Sequence, residues 1–125
     1  MKTLISKSTI LEAAKHSINE QSDAIKNIAK LLDDSFAEAV GLILKTNGRV
    51  IITGIGKSAI IANKIVATLN STGTPAVFMH AADAIHGDLG LVQKKDIVIC
   101  ISKSGNTPEI KVLVPFIRNY GNKIV

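Results

Sequence analysis

Three short apolar runs constrain this chain more than anything else in it: Val50–Thr53, Ala76–His80 and Asp96–Ser102. Val50–Thr53 is wholly β-branched, all three are predominantly apolar, and none alternates cleanly between apolar and polar. Strands that read this way are buried on both faces, which is the condition of a parallel sheet covered by helices. Helical stretches separate them. Ser58–Asn70 puts Ile61, Ile65 and Leu69 on one face, and Pro108–Asn119 turns Ile110, Leu113, Val114 and Ile117 inward. The pattern predicts an α/β chain, a three-layer αβα sandwich of the Rossmann-like or flavodoxin-like kind. Gly73-Thr74-Pro75 reads as a turn, residues 81–95 as mostly loop with room for a helical turn, and Asn122–Val125 as the start of a fourth strand after a Gly121 cap. A sheet ending on an apolar strand with no closing helix is incomplete. The chain is therefore expected to be the N-terminal portion of a larger domain, truncated before its last strand.

The preceding third is helical. Leu11, Ala14, Ile18, Gln21, Ile25, Ile28 and Leu32 recur at intervals of three and four residues, one mostly apolar stripe along a long helix. Thr9 with Glu12, and Ser35 with Glu38, have capping-box spacing, and the second box leads into a helix carrying Phe36, Val40, Ile43 and Leu44. Asn47-Gly48 ends it. Two readings of the long stripe stand open: packing on its own domain, or a subunit interface. The expected organisation is one domain over 1–125, with a helical arm at 1–47 and an α/β unit at 48–125.

Composition removes several classes of function. With 46 % apolar and 20 % charged residues the balance is that of a globular domain. No apolar run approaches the ~18–20 residues of a membrane helix. The first residues, MKTLISKS, lack the apolar core of a secretory signal. Cys100, the lone cysteine, sits in the apolar run IVICIS, as a small buried hydrophobe does, and fits a reducing, cytoplasmic setting. Net charge is +5, but the lysines are scattered and aromatics are 3 %, so neither a basic groove reader nor a stacking platform for nucleic acid is present. A protein handling small anions fits better.

Two loops carry the chemistry. TGIGKS (53–58) supplies the last three residues of a Walker A loop, but the first glycine would fall on Ile51. Gly54, Gly56 and Ala59 satisfy a dinucleotide fingerprint, yet the second strand ends on His80 where an acid should bind the ribose. What remains is Lys57 and Ser58 at a strand-to-helix junction, the positive end of a helix dipole. The second loop, SKSGNTPE (102–109), gathers Ser102, Ser104, Gly105, Asn106 and Thr107, with Thr107 placed to cap the helix and Pro108 as its first residue. Hydroxyls and free amides there suit one monophosphate better than a polyphosphate. No carboxylate cluster offers magnesium its ligands. Glu109 either complements the helix dipole or serves as a base beside a bound phosphate ester. His80 and His86 follow the second strand at the same edge; His16 on the first helix reads as exposed.

Together GIGKS, STGTP (71–75), HGDLG (86–90) and S-x-S-G-x-[ST]-x-E (102–109) resemble the sugar isomerase (SIS) domain, and within it the arabinose-5-phosphate isomerases of the KpsF/GutQ group. The resemblance spans nearly the whole chain. It implies a five-stranded parallel sheet, a homotetramer, and interconversion of D-ribulose 5-phosphate and D-arabinose 5-phosphate for synthesis of Kdo, an acidic sugar of lipopolysaccharide and some capsules. It implies no metal or organic cofactor. By the resemblance, Lys57 and Glu109 are catalytic, Gly73, Thr74 and His86 lie against substrate, and the loop with Ser102, Ser104 and Thr107 holds the phosphate. His80 matches a position that can hold an inhibitory metal ion such as zinc. The family's second catalytic glutamate and its later histidine match nothing up to Val125, and a CBS pair found in many relatives is absent from these residues. Two other readings remain: a non-catalytic sugar-phosphate sensor, and an SIS isomerase for another phosphosugar.

Overall fold

The structure is a computed structural model describing residues 6–125. Met1–Ile5, the start of the expected helical arm, lie outside the described residues. The chain divides into two compact units, one ending at Glu38 and the other spanning Ala39–Val125.

In the first unit, helix α1 spans Lys7–Ile28 and is followed by a 3-10 turn at Ala29–Leu31. Its cap is Ser6, whose hydroxyl accepts from the Thr9 amide at 3.1 Å. The expected Thr9–Glu12 box is thus displaced, because a serine one turn earlier already satisfies the first amides. No residue of α1 is buried, and Ile18 and Ile25 in the stripe are 65 % and 67 % exposed. Helix α2 spans Asp34–Lys45. Here Asp33, not Ser35, supplies the cap: its Oδ1 accepts from the Ser35 hydroxyl and amide. Those two bonds hold the Asp33 carboxyl below its usual range. A carboxylate is the stronger acceptor at a helix start, so the aspartate displaces the serine.

The second unit begins inside α2 rather than at residue 48, since Ile43 of that helix packs on the sheet. Strands β1 (Val50–Gly54), β2 (Ala76–His80), β3 (Ile97–Ile101) and β4 (Lys123–Ile124) form one sheet in the order β2-β1-β3-β4, all parallel. The intervening helices are α3 (Lys57–Ser71), α4 (Ala81–Ile85) and α5 (Pro108–Asn119). Alternate residues of β1 enter two cores. Ile51, with Met79 and Val98, meets Ala84 of α4 and Leu113 and Ile117 of α5. Val50 and Ile52 meet Ala62 and Val66 of α3 and Ile43 of α2. Each isoleucine, leucine, valine or methionine among them contributes roughly 1.5–3 kcal/mol on full burial. The sheet is covered on both sides, as the unbroken apolar runs require.

Residues 81–95 hold the helical turn allowed for there and a second, shorter one besides. AADAI forms α4, and Asp88–Leu91 adds a 3-10 turn. Buried Ala81 and Ala84 let this short helix approach the sheet closely. The third strand is shorter at both ends than expected, because Asp96 and Ser102 spend their side chains on other bonds. Asp96 is 3 % exposed and accepts from Arg49 Nη at 2.7 Å, from the Arg49 amide at 2.8 Å and from the Gln93 amide at 2.9 Å. Burial pushes its carboxyl up, but these donors outweigh burial and hold it below the ordinary carboxylate value. Asn122 adds bonds from its amide to the Gln93 and Asp96 carbonyls. This lock ties the amino ends of β1 and β3 to β4, and the sequence carries no periodic signal for it.

Candidate active site

A parallel sheet leaves its binding crevice where strand order reverses. In this sheet the chain goes from β1 outward to β2, then returns to place β3 on the other side of β1. The reversal therefore falls between β1 and β3, whose carboxyl ends are in register, Gly54 opposite Ile101. Neighbouring strands stand about 4.8 Å apart. The two loops singled out in the sequence leave from these adjacent ends and flank one crevice.

The first loop is shaped by its glycines. Gly56 has φ +57° and ψ −128°, outside the range of ordinary L residues, and it caps α3 without a side chain. At Gly54 an added Cβ would lie 3.0–3.1 Å from Ser58, so strand end and helix start pack tightly. That packing makes Lys57 the first residue of α3, exposed, with half-buried Ser58 behind it. The ammonium stands at the positive end of the helix, where an anion gains from both.

The second loop is held by its own hydroxyls. Ser102 and Thr107 pair through their Oγ atoms at 2.8 Å, the Gly105 amide donates to Ser102 Oγ at 3.1 Å, and the Asn106 amide donates to Ser104 Oγ at 3.1 Å. Gly105 takes φ +64° to close the turn. Thr107 holds the N-cap position of α5 but makes no side-chain cap bond, a correction to the expected role. Its hydroxyl is taken by Ser102, while its carbonyl accepts from Lys111 at 3.0 Å. Pro108 opens the helix, as expected, and Glu109 is half-buried in its first turn.

His80 ends β2, opposite Gly54 on the other flank of β1. Its ring stands edge-on to Phe78 with centroids 6.3 Å apart, and its buried Nδ1 is without a hydrogen bond, 3.7 Å from Asp83 Oδ2. Among the described residues no three His, Cys, Asp or Glu side chains stand close enough to share an ion, so His80 has Asp83 as its one acidic neighbour and lacks a full metal set. His86 is exposed and follows α4, its amide donating to the Asp83 carbonyl.

Gly73 and Thr74 are not brought to this edge. They cap the end of α3, the Thr74 amide donating to the Leu69 carbonyl at 2.9 Å, and lead into the foot of β2. In one copy of the chain they stand at the amino edge, a whole strand away from Lys57, because a parallel crossover returns the chain to the starting end of the sheet. Cys100 is partly buried with its thiol pushed up to about 11 by burial, consistent with an inert side chain. Sequence reasoning passed over Thr53. It is fully buried beneath the crevice on β1, and its hydroxyl has no partner.

Known proteins share this fold. Residues 42–125 match the SIS domain family. The chain is 44 % identical over 117 residues to arabinose 5-phosphate isomerase KpsF of Escherichia coli O6:H1, covering 93 % of this chain and 36 % of the relative. It is 41 % identical over 115 residues to arabinose 5-phosphate isomerase KdsD of Pseudomonas aeruginosa, covering 92 % of this chain and 35 % of the relative. It thus spans about a third of the length of these curated relatives. An Escherichia coli CFT073 protein solved in complex with arabinose 5-phosphate superposes with TM-score 0.89 at 38 % identity, over 96 % of this chain and 64 % of that one. Phosphoheptose isomerase GmhA of Neisseria gonorrhoeae, with TM-score 0.71 and 21 % identity over 93 % of this chain and 74 % of that one, shares the fold. The match over two thirds of its residues and the parallel sheet carry the conclusion beyond resemblance: the chain belongs to the SIS domain family.

Proposed function

We propose that this chain is part of an aldose–ketose isomerase that interconverts D-ribulose 5-phosphate and D-arabinose 5-phosphate, supplying Kdo synthesis for lipopolysaccharide or capsule. The observation that carries it is the pairing of a lysine-bearing helix start with a hydroxyl-rich loop across one crevice. Ser58, Ser102, Ser104, Gly105, Asn106 and Thr107 hold the phosphate. Binding replaces the bonds these groups make with one another by bonds to phosphate oxygens, so little ordering is needed. Proton transfer between C1 and C2 passes through a cis-enediolate. Lys57 stabilises the charge that develops there. Glu109 at the start of α5 moves the proton or shares that task with a second carboxylate. His86 orients sugar hydroxyls.

Gly73 and Thr74 reach substrate in this scheme only from a neighbouring subunit. That requirement and the exposed stripe of α1 support a homo-oligomer, a tetramer in our reading. A setting in the cytoplasm goes with it, where the phosphorylated substrate is made; no helix of the described residues is long and apolar enough to cross a membrane. The test is isomerisation of ribulose 5-phosphate by the full-length protein. Lys57→Ala and Glu109→Gln should each lower kcat by about a hundredfold or more, in the range of lost general acid–base or electrostatic groups. Near wild-type turnover in either variant removes that residue from the chemistry. Turnover of a hexulose or heptulose phosphate in place of the pentose overturns the substrate assignment.

A further inference from the structure

The sheet has a second polar end. At its amino edge, opposite the crevice, two adjoining cavities of about 200 and 400 Å³ share Lys94, Lys95 and Asp96 in their walls. Lys45 and Lys123 line the smaller one, with Thr46 and Asn122. Asp96 is the one carboxylate in either lining, and Arg49 and the Gln93 amide already occupy it. None of the four lysines has a carboxylate within ion-pair distance among the described residues. Four exposed lysines around one open groove set up a positive field at this edge of the sheet.

Two further observations separate this place from scattered surface lysines. The Lys94 and Lys95 amides make no hydrogen bond among the described residues, so two consecutive backbone donors are left uncommitted in the same lining. Asn122 is 7 % exposed and commits its NH₂ to the Gln93 and Asp96 carbonyls, yet its Oδ1 has no partner. A buried acceptor calls for a donor. Beside it, the free amides and the lysines meet the charge of a small anion.

We propose that the amino-edge cavity is a second anion site, taking a small phosphate-bearing molecule and distinct from the crevice at the carboxyl edge. It stands at the foot of β3, whose head carries the Ser102–Thr107 loop. Its charge and shape owe nothing to the chemistry of the crevice, so this site and the isomerase reading can fail separately. The test is isothermal titration of the full-length protein with glycerol 3-phosphate at low ionic strength. Two binding events per chain are expected. The variant Lys94→Gln/Lys95→Gln/Lys123→Gln should weaken one of them by about tenfold or more and spare the other, and Ser102→Ala/Thr107→Ala should do the reverse. Lys64→Gln/Lys111→Gln, on the outer surfaces of α3 and α5, should change neither. No event lost in the Lys94/Lys95/Lys123 variant, or an equal loss in the Lys64/Lys111 variant, overturns the proposal, whereas a single event that only the Lys94/Lys95/Lys123 variant removes keeps it and counts against the crevice instead. Lys45→Gln, a single change on α2, gives the same readout should the triple variant not fold.

Discussion

Gly54 shows how much one missing methyl group decides. A Cβ there would press on Ser58 at 3.0–3.1 Å, and its nearest neighbour is backbone, which cannot swing aside. Gly54→Ala should cost about 1–3 kcal/mol and shift the start of α3, measured as a lower urea midpoint together with a fall in kcat/KM. At the other edge Gly48 plays the same part, since a side chain there would run into the Lys95 carbonyl. Asp96 gives a pH prediction. Its folded-state pKa lies below the unfolded value of about 3.9, so its contribution is complete above that value and is lost as pH falls through the folded pKa. The part of the stability that Asp96 supplies should be level from about pH 7 to 5 and fall below about pH 4. Asp96→Asn should begin lower by about 2–3 kcal/mol, discounted for the partly exposed Arg49, and lose part of the acid slope. An unchanged slope in urea titrations would remove Asp96 from the acid response.

At the scale of elements, α1 and α5 contrast. Helix α5 buries Ile110, Leu113 and Ile117 and is anchored by its own loop, so its first turn is a fixed platform for Glu109. Helix α1 buries nothing, although its apolar period is as regular. Propensity and a Ser6 cap can start such a helix, but isolated helices are marginal in water without a packed face. If the stripe is an interface between copies, Ile18→Lys with Ile25→Lys should reduce the assembled mass in sedimentation and leave the far-UV spectrum of the α/β unit in place. Unchanged assembly would remove α1 from the interface.

For the molecule as a whole, protection should follow the sheet. The amides of Val50–Thr53 lie in a strand paired on both sides and are inaccessible to solvent, so hydrogen exchange there should report the global unfolding free energy. Exchange in α1 should be the faster by orders of magnitude wherever no second copy covers it. Much of this architecture was legible beforehand. Unbroken apolar strands dictate a doubly covered parallel sheet, because a sheet wet on one face would alternate. Glycines, hydroxyls and a proline at helix starts marked both loops, because free backbone amides demand those residue types. Less legible were the Arg49–Asp96 lock, the partnerless Thr53 hydroxyl and the true caps at Ser6 and Asp33, where several acceptors compete and only geometry picks the winner.

Local matters follow from the order of residues alone: which segments bury two faces, where helices begin to within a turn, and which loops offer donors to an anion. Neighbourhood does not. Strand order brought the Lys57 and Ser102 loops, 45 residues apart, to one crevice at the reversal between β1 and β3, and the same order carried Gly73 and Thr74 to the opposite edge. Periodicity records which side of an element faces a core. It holds no record of which strand lies next to which, since that is settled by long-range packing between residues with no fixed spacing along the chain.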